Sequence, residues 1–323
     1  MAFINTHHTQ SYDLIGDVHG CAKSLERLLK KMGYQHQRGC FRHPNRQVVF
    51  VGDIVDRGPR IREALHIVKD MVDQGQAEIV LGNHEYNAMC YCTEGRENSG
   101  RQYLRDHNAR NHRLIHETLV QFEHHKQEWQ EFLAWFHEIP LFLEKPNFRM
   151  VHACWDDEAI KRLKEHFTSH CVTKEFLYKS VVQGSFEGNL VDKLTRGTAL
   201  DLPEGEVIIG KDGFSRRMFR TKFWNEQPEI YSDVVFQPDP LPDEMVNRPL
   251  SAIEKQRLLS YSKDQLPVFV GHYWMSGEPE IIQSNVACLD YSAVKYGKLL
   301  AYRMGDEKVL NSENFIWVDV DRE

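Results

Sequence analysis

The chain has 323 residues, of which 41% are hydrophobic and 11% aromatic, enough to build a sizeable core as one large or two modest domains. Its 40 basic and 47 acidic residues give a formal net charge of −7, which argues against a broad basic face for long nucleic acids or anionic membranes but allows a local basic pocket. No apolar run approaches the ~20 residues that span a bilayer and the N-terminus is polar, so we expect a cytoplasmic protein.

The first eighty or so residues alternate apolar runs, glycine-bearing turns and amphipathic stretches, a pattern typical of a βαβαβ unit. Strands are predicted at 12–15, 48–51 and 79–81, and the two intervening helices end at Gly33 and Gly75. Their apolar stripes, at helical spacing, are Leu25, Leu28, Leu29 and Met32 in the first helix and Ile61, Leu65, Val68 and Val72 in the second.

The remainder is predicted to complete a single domain over residues 1–323. Residues 95–138 are polar with helical periodicity, which indicates a helical insert. Residues 156–265 have little periodicity and several proline-bearing breaks, which indicate a cap or specificity insert. Further strands are predicted at 140–144, 148–153 and 267–270 and, as a β meander that closes the sheet, at 286–290 and 298–304.

Three short motifs follow the first three predicted strands. They are Gly16-Asp17-Val18-His19-Gly20, Gly52-Asp53-Ile54-Val55-Asp56-Arg57-Gly58 and Gly82-Asn83-His84-Glu85. At residue frequencies of ~5–7%, the five fixed letters of the middle motif alone arise by chance about once per million positions. Because the carboxyl ends of neighbouring parallel strands lie about 5 Å apart and gather ligands in α/β sheets, we expect the three motifs to meet.

The side chains of these motifs are suited to metal binding. Asp17 and His19 are two positions apart and point to the same side of an extended segment, and the Asp53 carboxylate can bridge two cations. The full set of candidate ligands is Asp17, His19, Asp53, Asn83, His152 and His272. Oxygen and nitrogen ligands without thiolates favour Mn, Fe or Zn. Taken singly, each residue has a structural interpretation as a turn, cap or hydrogen-bonding residue.

The ordered motifs resemble the phosphoprotein-phosphatase branch of the calcineurin-like metallophosphoesterases, whose pattern reads D-x-H, G-D-x-x-D-R-G, G-N-H-E and two separate histidines. The resemblance covers about 11–155 and 266–304. It is strongest to bacterial members, among them dinucleoside-tetraphosphatase-like proteins, polynucleotide kinase-phosphatases and lambda-type phosphatases. It implies an α/β fold, a four-layer α/β/β/α sandwich of two mixed sheets, with two divalent metals, Mn or Fe and alternatively Zn, at the strand tips.

The resemblance also implies a role for each motif residue. Asp17 and His19 hold the first metal, Asp53 bridges, and the second metal is completed by Asn83, His152 and His272. A hydroxide activated by the two metals attacks phosphorus. His84 is the general acid, Asp56 orients His84, and Arg57 binds phosphate oxygens as a bidentate donor. The plainer interpretations are a helix N-terminal carboxylate for Asp56 and a surface ion pair for Arg57.

Two features depart from the family pattern. Leu81 precedes Gly-Asn-His-Glu where many eukaryotic protein phosphatases carry arginine, so a second phosphate-binding arginine is not placed by motif. The candidates are Arg216, Arg217 and Arg220 in the predicted cap. Glu85 together with an intact Asp56 separates the chain from the main bacterial diadenosine-tetraphosphatase type.

Two enzymatic functions fit these features. The first is a phosphatase of phosphomonoesters, with phosphoserine, phosphothreonine or phosphotyrosine in proteins as the favoured substrate. The alternative is a nucleotidyl hydrolase of dinucleoside polyphosphates or nucleic-acid end phosphates, which needs a base-stacking surface. The aromatic candidates for that surface, all of which core packing also explains, are Trp155, Trp224, Tyr273 and Trp274. A non-catalytic binding protein is disfavoured because none of the motif residues is missing.

Other cysteines and histidines have plainer interpretations. The seven cysteines lack the paired C-x-x-C spacing of zinc sites, so we interpret them as reduced structural thiols, with Cys90 and Cys92 as an alternative metal pair. His112 and His116 are four positions apart, and we interpret them as part of a solvated helix face.

Overall fold

The structure, a computed structural model, describes residues 11–97, 99–203, 205–209, 215–236 and 241–321. Within these residues the strands are β1 (Ser11–Ile15), β2 (Gln35–Gln37), β3 (Cys40–Arg42), β4 (Arg46–Phe50), β5 (Ala77–Ile79), β6 (Phe142–Glu144), β7 (Arg149–Val151), β8 (Ala199–Asp201), β9 (Ile208–Ile209), β10 (Ser215–Arg216), β11 (Met218–Arg220), β12 (Val268–Val270), β13 (Val286–Cys288), β14 (Asp290–Tyr291), β15 (Lys298–Met304) and β16 (Phe315–Asp319). The helices are α1 (Ala22–Lys31), α2 (Ile61–Asp73), α3 (Asn83–Cys92), α4 (Ala109–Gln121), α5 (Lys126–Phe136), α6 (Asp157–His166), α7 (Lys174–Ser180), α8 (Phe186–Arg196), α9 (Tyr231–Val234), α10 (Asp243–Val246) and α11 (Ala252–Arg257).

Two mixed sheets form the centre of the fold. The first has the order β14-β15-β1-β4-β5, with β16 paired to β15, and the second has the order β13-β12-β7-β6. Strands β1, β4 and β5 run parallel, whereas β15 is antiparallel to β1. The βαβαβ unit predicted from the apolar runs is therefore confirmed, and the carboxyl ends of its three strands lie at one edge.

The alternation of side chains along each strand divides the core into layers. On β1, Leu14 faces the second sheet, whereas Ile15 faces the helices; on β7, Met150 and Val151 divide in the same way. The cluster between the sheets includes Tyr12, Leu14, Val49, Val51, Phe148, Met150, Phe269, Ala287, Leu300 and Tyr302. The outer faces pack against helices, among them α1 and α2 on one side and α6 and α8 on the other. This is the four-layer α/β/β/α sandwich that the resemblance implied.

The chain crosses from one sheet to the other between β13 and β14. Strand β13 is parallel to β12 in the second sheet, whereas β14 is antiparallel to β15 in the first. The prediction of one meander over 286–290 and 298–304 was therefore wrong for 286–288, because an apolar run does not reveal which sheet it joins. A Cβ on Gly16 would lie 1.9 Å from the Leu289 carbonyl oxygen, so the crossing requires glycine there.

Two segments lie outside the sandwich strands. The predicted helical insert, 95–138, contains α4 and α5, and α4 packs against α2. In the predicted cap, the described part of 199–250 has a small hydrophobic cluster of its own, with Leu200, Phe219 and Tyr231 among its buried members. None of the helices in the described ranges has the length and apolar character that a membrane crossing requires.

A buried charge ties the first sheet to α1 and its following loop. The Asp13 carboxylate on β1 is fully buried and accepts hydrogen bonds from Tyr34 Oη at 3.0 Å, Arg46 Nε at 2.9 Å and Arg303 Nε at 3.1 Å. The carboxylate raises the pKa of Tyr34, an effect that adds to that of burial. Arg46 also donates to the carbonyl of Met304, so this one carboxylate links β1, β4 and β15.

We expect the Asp13→Ala substitution to destabilise the fold by about 3–5 kcal/mol, because it leaves two arginines without their shared buried partner. Urea unfolding followed by circular dichroism measures this loss. The control is Asp321→Ala, which breaks an exposed ion pair with Arg27 and should cost less than about 1 kcal/mol. Equal, small effects of both substitutions would contradict this role of Asp13.

Candidate metal centre and active site

The Asp53 carboxylate lies at the centre of the candidate site, just beyond β4. Its Oδ1 accepts a hydrogen bond from the backbone N–H of His84 at 2.9 Å. Its Oδ2 lies 3.3 Å from Nε2 of His152 and 3.6 Å from Nε2 of His19. One carboxylate oxygen therefore faces imidazoles from two different strand ends.

The structure brings all six predicted metal-ligating residues to this place, each at most 7% exposed: Asp17, His19, Asp53, Asn83, His152 and His272. Two groups share Asp53, one with His19 and His84 and the other with His152 and His272, and within each group the potential ligand atoms lie within 4.8 Å of one another. Two further contacts connect the set. Asn83 Oδ1 lies 3.2 Å from His152 Nε2, and Asp17 Oδ2 accepts from the His272 backbone N–H at 3.3 Å.

The backbone at these positions is strained in a way that directs the side chains inward. His19, Asp53 and His272 have φ values of 43°, 53° and 64°, a region that costs non-glycine residues about 1–3 kcal/mol each. Close approach of the backbone also requires glycine. A Cβ on Gly82 would lie 2.2 Å from Asp53 Oδ1, and one on Gly271 would lie 2.1 Å from Asp17 Oδ1.

Glu85 holds the loop that carries Asp53. Its buried carboxylate accepts hydrogen bonds from the backbone N–H groups of Asp53, Ile54 and Val55 at 2.9, 2.7 and 3.2 Å. Helix α3 begins at Asn83, so the third motif forms the first turn of a helix. Glu85 is placed by this helix to position a turn that belongs to a different strand.

His84 is held by Asp56, and Asp56 by the helical insert. The His84 Nδ1 atom lies 2.6 Å from Asp56 Oδ2, and Thr118 Oγ1 donates to Asp56 Oδ1 at 2.5 Å. Thr118, fully buried on α4, also accepts from the Asp56 backbone N–H at 3.1 Å. Thr118 was not predicted from the sequence, although a polar residue at helical spacing from the apolar Ile115 and Phe122 is a signal for it.

Arg57 lies over the same histidine. Its Nη2 lies 3.0 Å from His84 Nε2, and its guanidinium carbon is 5.7 Å from the Trp274 ring centroid. Because Asp56 occupies Nδ1, Nε2 is the nitrogen that faces the open cleft. The plain interpretation of Arg57 as part of a surface ion pair has no support among the described residues, where its close contacts are with His84 and Trp274.

The three candidate phosphate-binding arginines line the cleft that opens over His84: Arg216, Arg217 and Arg220. Arg220 is half-buried and donates to the His272 carbonyl oxygen at 3.4 Å. Burial and the nearby positive charges of Arg196 and Arg57 lower its pKa. Of the three, Arg220 therefore contacts a predicted metal-ligating residue directly.

Asp290 is a site residue that the sequence analysis missed. It is buried at the sheet crossing, its Oδ1 accepts from the Ser292 N–H at 2.9 Å, and its Oδ2 has no hydrogen-bond partner among the described residues. The only signal in the sequence was its position at the end of an apolar run. The strand crossing that brings it to the site is a long-range feature.

The electrostatics of the cluster fit divalent cations. Burial raises the pKa of Asp17 well above its ordinary value, and the neighbouring Asp290 carboxylate adds to the rise. Burial together with Arg57 holds the pKa of His19 well below its usual range, and burial with Arg220 does the same for His272. Neutral imidazole is the form that binds metals. At His152 burial lowers the pKa, but the Asp53 carboxylate outweighs burial and raises the pKa to about 10, so a metal ion there would displace a proton. Asp17 Oδ1, Asp290 Oδ2 and His272 Nε2 are buried without hydrogen-bond partners in the described parts of the chain, so metal ions would satisfy atoms that are otherwise costly to bury.

Of the remaining candidates in the described part of the chain, Trp274 adjoins Arg57, whereas the other aromatic residues proposed for base stacking, the cysteine pair and the histidines of α4 do not. Among the aromatic residues, Trp155 and Tyr273 are buried and Trp224 packs on Tyr273, whereas Trp274 lines the cleft. Burial raises the pKa of Cys90 to about 11, so its thiol is not a ready metal ligand. His112 and His116 are exposed on α4, and His112 contacts the Tyr91 hydroxyl. Neither these histidines nor Cys90 and Cys92 belong to a candidate metal group in the described ranges.

The sequence of this chain is similar to those of known bacterial proteins. Over 178 residues, or 54% of this chain and 66% of the relative, the sequence is 32% identical to the bis(5'-nucleosyl)-tetraphosphatase PrpE [asymmetrical] of Oceanobacillus iheyensis. It is 47% identical over 74 residues to the protein of the same name from Halalkalibacterium halodurans, which is 23% of this chain and 30% of that relative. The chain thus spans less than two thirds of the length of these curated relatives.

A solved protein serine/threonine phosphatase from Saccharomyces cerevisiae is 14% identical, with a TM-score of 0.49, over 99% of this chain and 82% of that one. The family model described as calcineurin-like phosphoesterase matches residues 12–202, more than half of the chain and all three motifs. The chain therefore belongs to the calcineurin-like phosphoesterases, which are metal-dependent phosphoester hydrolases.

Proposed function

We propose that this phosphoesterase hydrolyses dinucleoside polyphosphates. The observation that carries the proposal is the cleft over His84 and Asp53, which has a volume of about 1870 Å³. Pockets for small ligands are typically about 300–1,000 Å³, so this cleft has room for an extended substrate. The relatives named above as bis(5'-nucleosyl)-tetraphosphatases support the same choice.

The charge of the cleft favours a substrate with several phosphates. In the described part of the chain it is lined by eleven arginines and one lysine against four carboxylates, although the whole chain has a net charge of −7. A phosphomonoester presents one phosphate, which Arg57 and the metal centre satisfy. A polyphosphate chain presents a row of negative charges, and guanidinium groups bind phosphate oxygens bidentately. This favours the alternative of the sequence analysis over phosphorylated proteins.

The metals of the proposed enzyme are two divalent cations, Mn or Fe and alternatively Zn. Asp17 and His19 would hold one, Asn83, His152 and His272 the other, with Asp53 shared between them. When bound, such a pair supplies a hydroxide at neutral pH and neutralises phosphate oxygens. Asp290, which faces the same cluster, contributes a further negative charge that favours cations there.

The chain's own residues supply the proton and orient the phosphate. Asp56, which is held by Thr118, accepts a hydrogen bond from His84 Nδ1 and stabilises the protonated imidazole of His84. Nε2 of His84 can then deliver a proton to the leaving oxygen. Arg57 occupies Nε2 in the present arrangement. An incoming phosphate attracts the Arg57 guanidinium to its own oxygens, which frees Nε2 for protonation and places positive charge where negative charge develops.

The inserts contribute the walls of the cleft in this proposal. We assign 95–138 as a helical insert that holds Asp56 through Thr118. Within 156–265, α6 and α8 belong to the outer layer of the sandwich, and we assign the part that follows α8 as the cap, all within one domain. Among the aromatic residues that line the cleft, we assign Trp274, half-buried beside Arg57, to a nucleobase. Lys295 Nζ lies 3.9 Å from the Trp274 ring centroid, so a base would stack on the face opposite Lys295 or displace it. Base stacking on an exposed aromatic ring stabilises binding by about 1–3 kcal/mol.

A substrate panel tests the proposal. Protein loaded with Mn²⁺ is assayed on diadenosine tetraphosphate, a phosphopeptide, a 3′-phosphorylated oligonucleotide and p-nitrophenyl phosphate. We expect kcat/KM for diadenosine tetraphosphate to exceed that for the phosphopeptide about tenfold or more, since one added charge-assisted hydrogen bond supplies that factor. A higher kcat/KM for the phosphopeptide would overturn the polyphosphate assignment in favour of a phosphoprotein phosphatase.

The shared position of Asp53 gives a prediction about metal content. We expect the Asp53→Asn protein to lose metal affinity by about 100-fold or more, since even indirect support of a metal ligand contributes about 10–100-fold. Its metal content, measured by plasma mass spectrometry after dialysis at fixed free Mn²⁺, should fall from about two ions per chain to fewer than one. Asp73→Asn, on the exposed end of α2, is the matched control. Full metal content in Asp53→Asn would remove Asp53 from the centre.

The proton-donor role of His84 predicts a dependence on the leaving group. We expect His84→Asn to lower kcat on phenyl phosphate, whose strongly basic phenolate leaves only with a proton, by about 10²- to 10⁴-fold. The loss on p-nitrophenyl phosphate should be much smaller, because nitrophenolate departs without a proton. His166→Asn, an exposed histidine outside the cleft, serves as control. Equal losses on the two substrates would show that His84 is not the general acid.

A further inference from the structure

Four of the arginines that line the cleft, here called the row, are electrostatic neighbours in the order Arg57, Arg220, Arg196 and Arg105. Arg57 contacts His84, and Arg220 donates to the His272 carbonyl. The positive charges of Arg196 and Arg57 help to lower the pKa of Arg220. The charge of Arg196 also helps to lower the pKa of Arg105. All four line the same cleft. The row begins beside the predicted metal ligands and ends on the helical insert.

Arg196, at the end of α8, is fixed against α3. Its Nη2 donates to Asn87 Oδ1 at 2.6 Å, and its guanidinium carbon lies 5.3 Å from the Tyr86 ring centroid. Its side chain is 30% exposed and also pairs with Asp192 four residues earlier. Packing against an amide and an aromatic ring restricts the guanidinium before any ligand binds, which reduces the entropy lost on binding.

Arg105 is the more unusual member of the row. It lies between α3 and α4, where its backbone N–H donates to the Cys90 carbonyl at 3.0 Å. Its side chain is half-buried, and no carboxylate of a described residue pairs with its guanidinium. Burial, and then the charges of Arg196 and Arg110, lower its pKa. A partly desolvated cation among like charges is costly unless an anion joins it.

We propose that Arg105 and Arg196 form a distal phosphate subsite, which binds phosphates of a polyphosphate chain beyond the one that reacts at His84. The inference rests on the polyphosphate substrate proposed above and assigns its outer phosphates to particular residues. Arg220 lies between the two ends and continues the row. The subsite recognises chain phosphates in a nucleotide and in inorganic polyphosphate alike, since its donors are guanidinium groups alone.

The subsite predicts that Arg105 discriminates between long and short phosphate ligands. Tripolyphosphate and orthophosphate are measured as inhibitors of p-nitrophenyl phosphate hydrolysis at fixed free Mn²⁺, and the ratio of the two inhibition constants is compared between proteins. We expect Arg105→Gln to raise the inhibition constant of tripolyphosphate about tenfold more than that of orthophosphate, because one charge-assisted contact is lost. Arg105→Lys retains the charge and should recover most of the ratio, which separates charge from folding.

The matched control is Arg27→Gln, which removes the same charge from the exposed face of α1 and should leave the ratio unchanged. An unchanged ratio in Arg105→Gln, or an equal shift in Arg27→Gln, would overturn the subsite. Isothermal titration of tripolyphosphate into each Mn²⁺-loaded protein provides the same comparison without turnover.

Two further compounds complete the experiment: diadenosine tetraphosphate as a substrate and ATP as an inhibitor. Failure of wild-type protein to hydrolyse diadenosine tetraphosphate would reject the proposed function while the tripolyphosphate ratio still decides the subsite. Hydrolysis that is equally fast in wild-type and Arg105→Gln protein would reject the subsite alone. Weakening of tripolyphosphate and ATP inhibition by similar factors supports recognition of the phosphate chain, whereas an effect confined to ATP would assign Arg105 to the nucleoside and overturn the proposal.

Discussion

The burial of the Asp53 carboxylate is the constraint on which the rest of the site depends. It is 2% exposed and lies between imidazoles from two strand ends. Burial alone would raise its pKa, but the charges of His152 and His84 outweigh burial and hold it well below the ordinary value. The fold stabilises this arrangement with a backbone N–H from α3 and with the hydrogen bonds of the Glu85 carboxylate to the Asp53 loop. The turn at Asp53 is strained, and the packing of the sandwich offsets that strain.

Much of the inner site was predictable from the sequence because its residues follow strands whose apolar pattern is clear. Asp17, Asp53 and Asn83 come directly after β1, β4 and β5, so a parallel sheet brings them together. Asp290 and Thr118 were not predictable in this way. Asp290 depends on the crossing between the two sheets, and Thr118 on how α4 packs over the Asp56 loop. Neither arrangement leaves a local periodic signal.

The substrate was less predictable than the chemistry for a related physical reason. The roles that we propose for His84, Asp56 and Arg57 concern only the reacting phosphate and do not depend on what lies beyond it, so the motifs were compatible with phosphoproteins and with nucleotides. Arg105 and Arg196, the residues that we propose bind a polyphosphate chain, belong to segments without a motif. They line the same cleft because α3, α8 and the insert pack around it.

Anomalous diffraction from crystals grown with Mn²⁺ tests most directly whether Asp53 joins two metal ions. We expect two manganese peaks about 3.5–4 Å apart, both within bonding distance of the Asp53 carboxylate, one beside His19 and the other beside His152 and His272. A single peak, or two peaks of which one lies away from Asp53, would show that Asp53 does not join two metal ions.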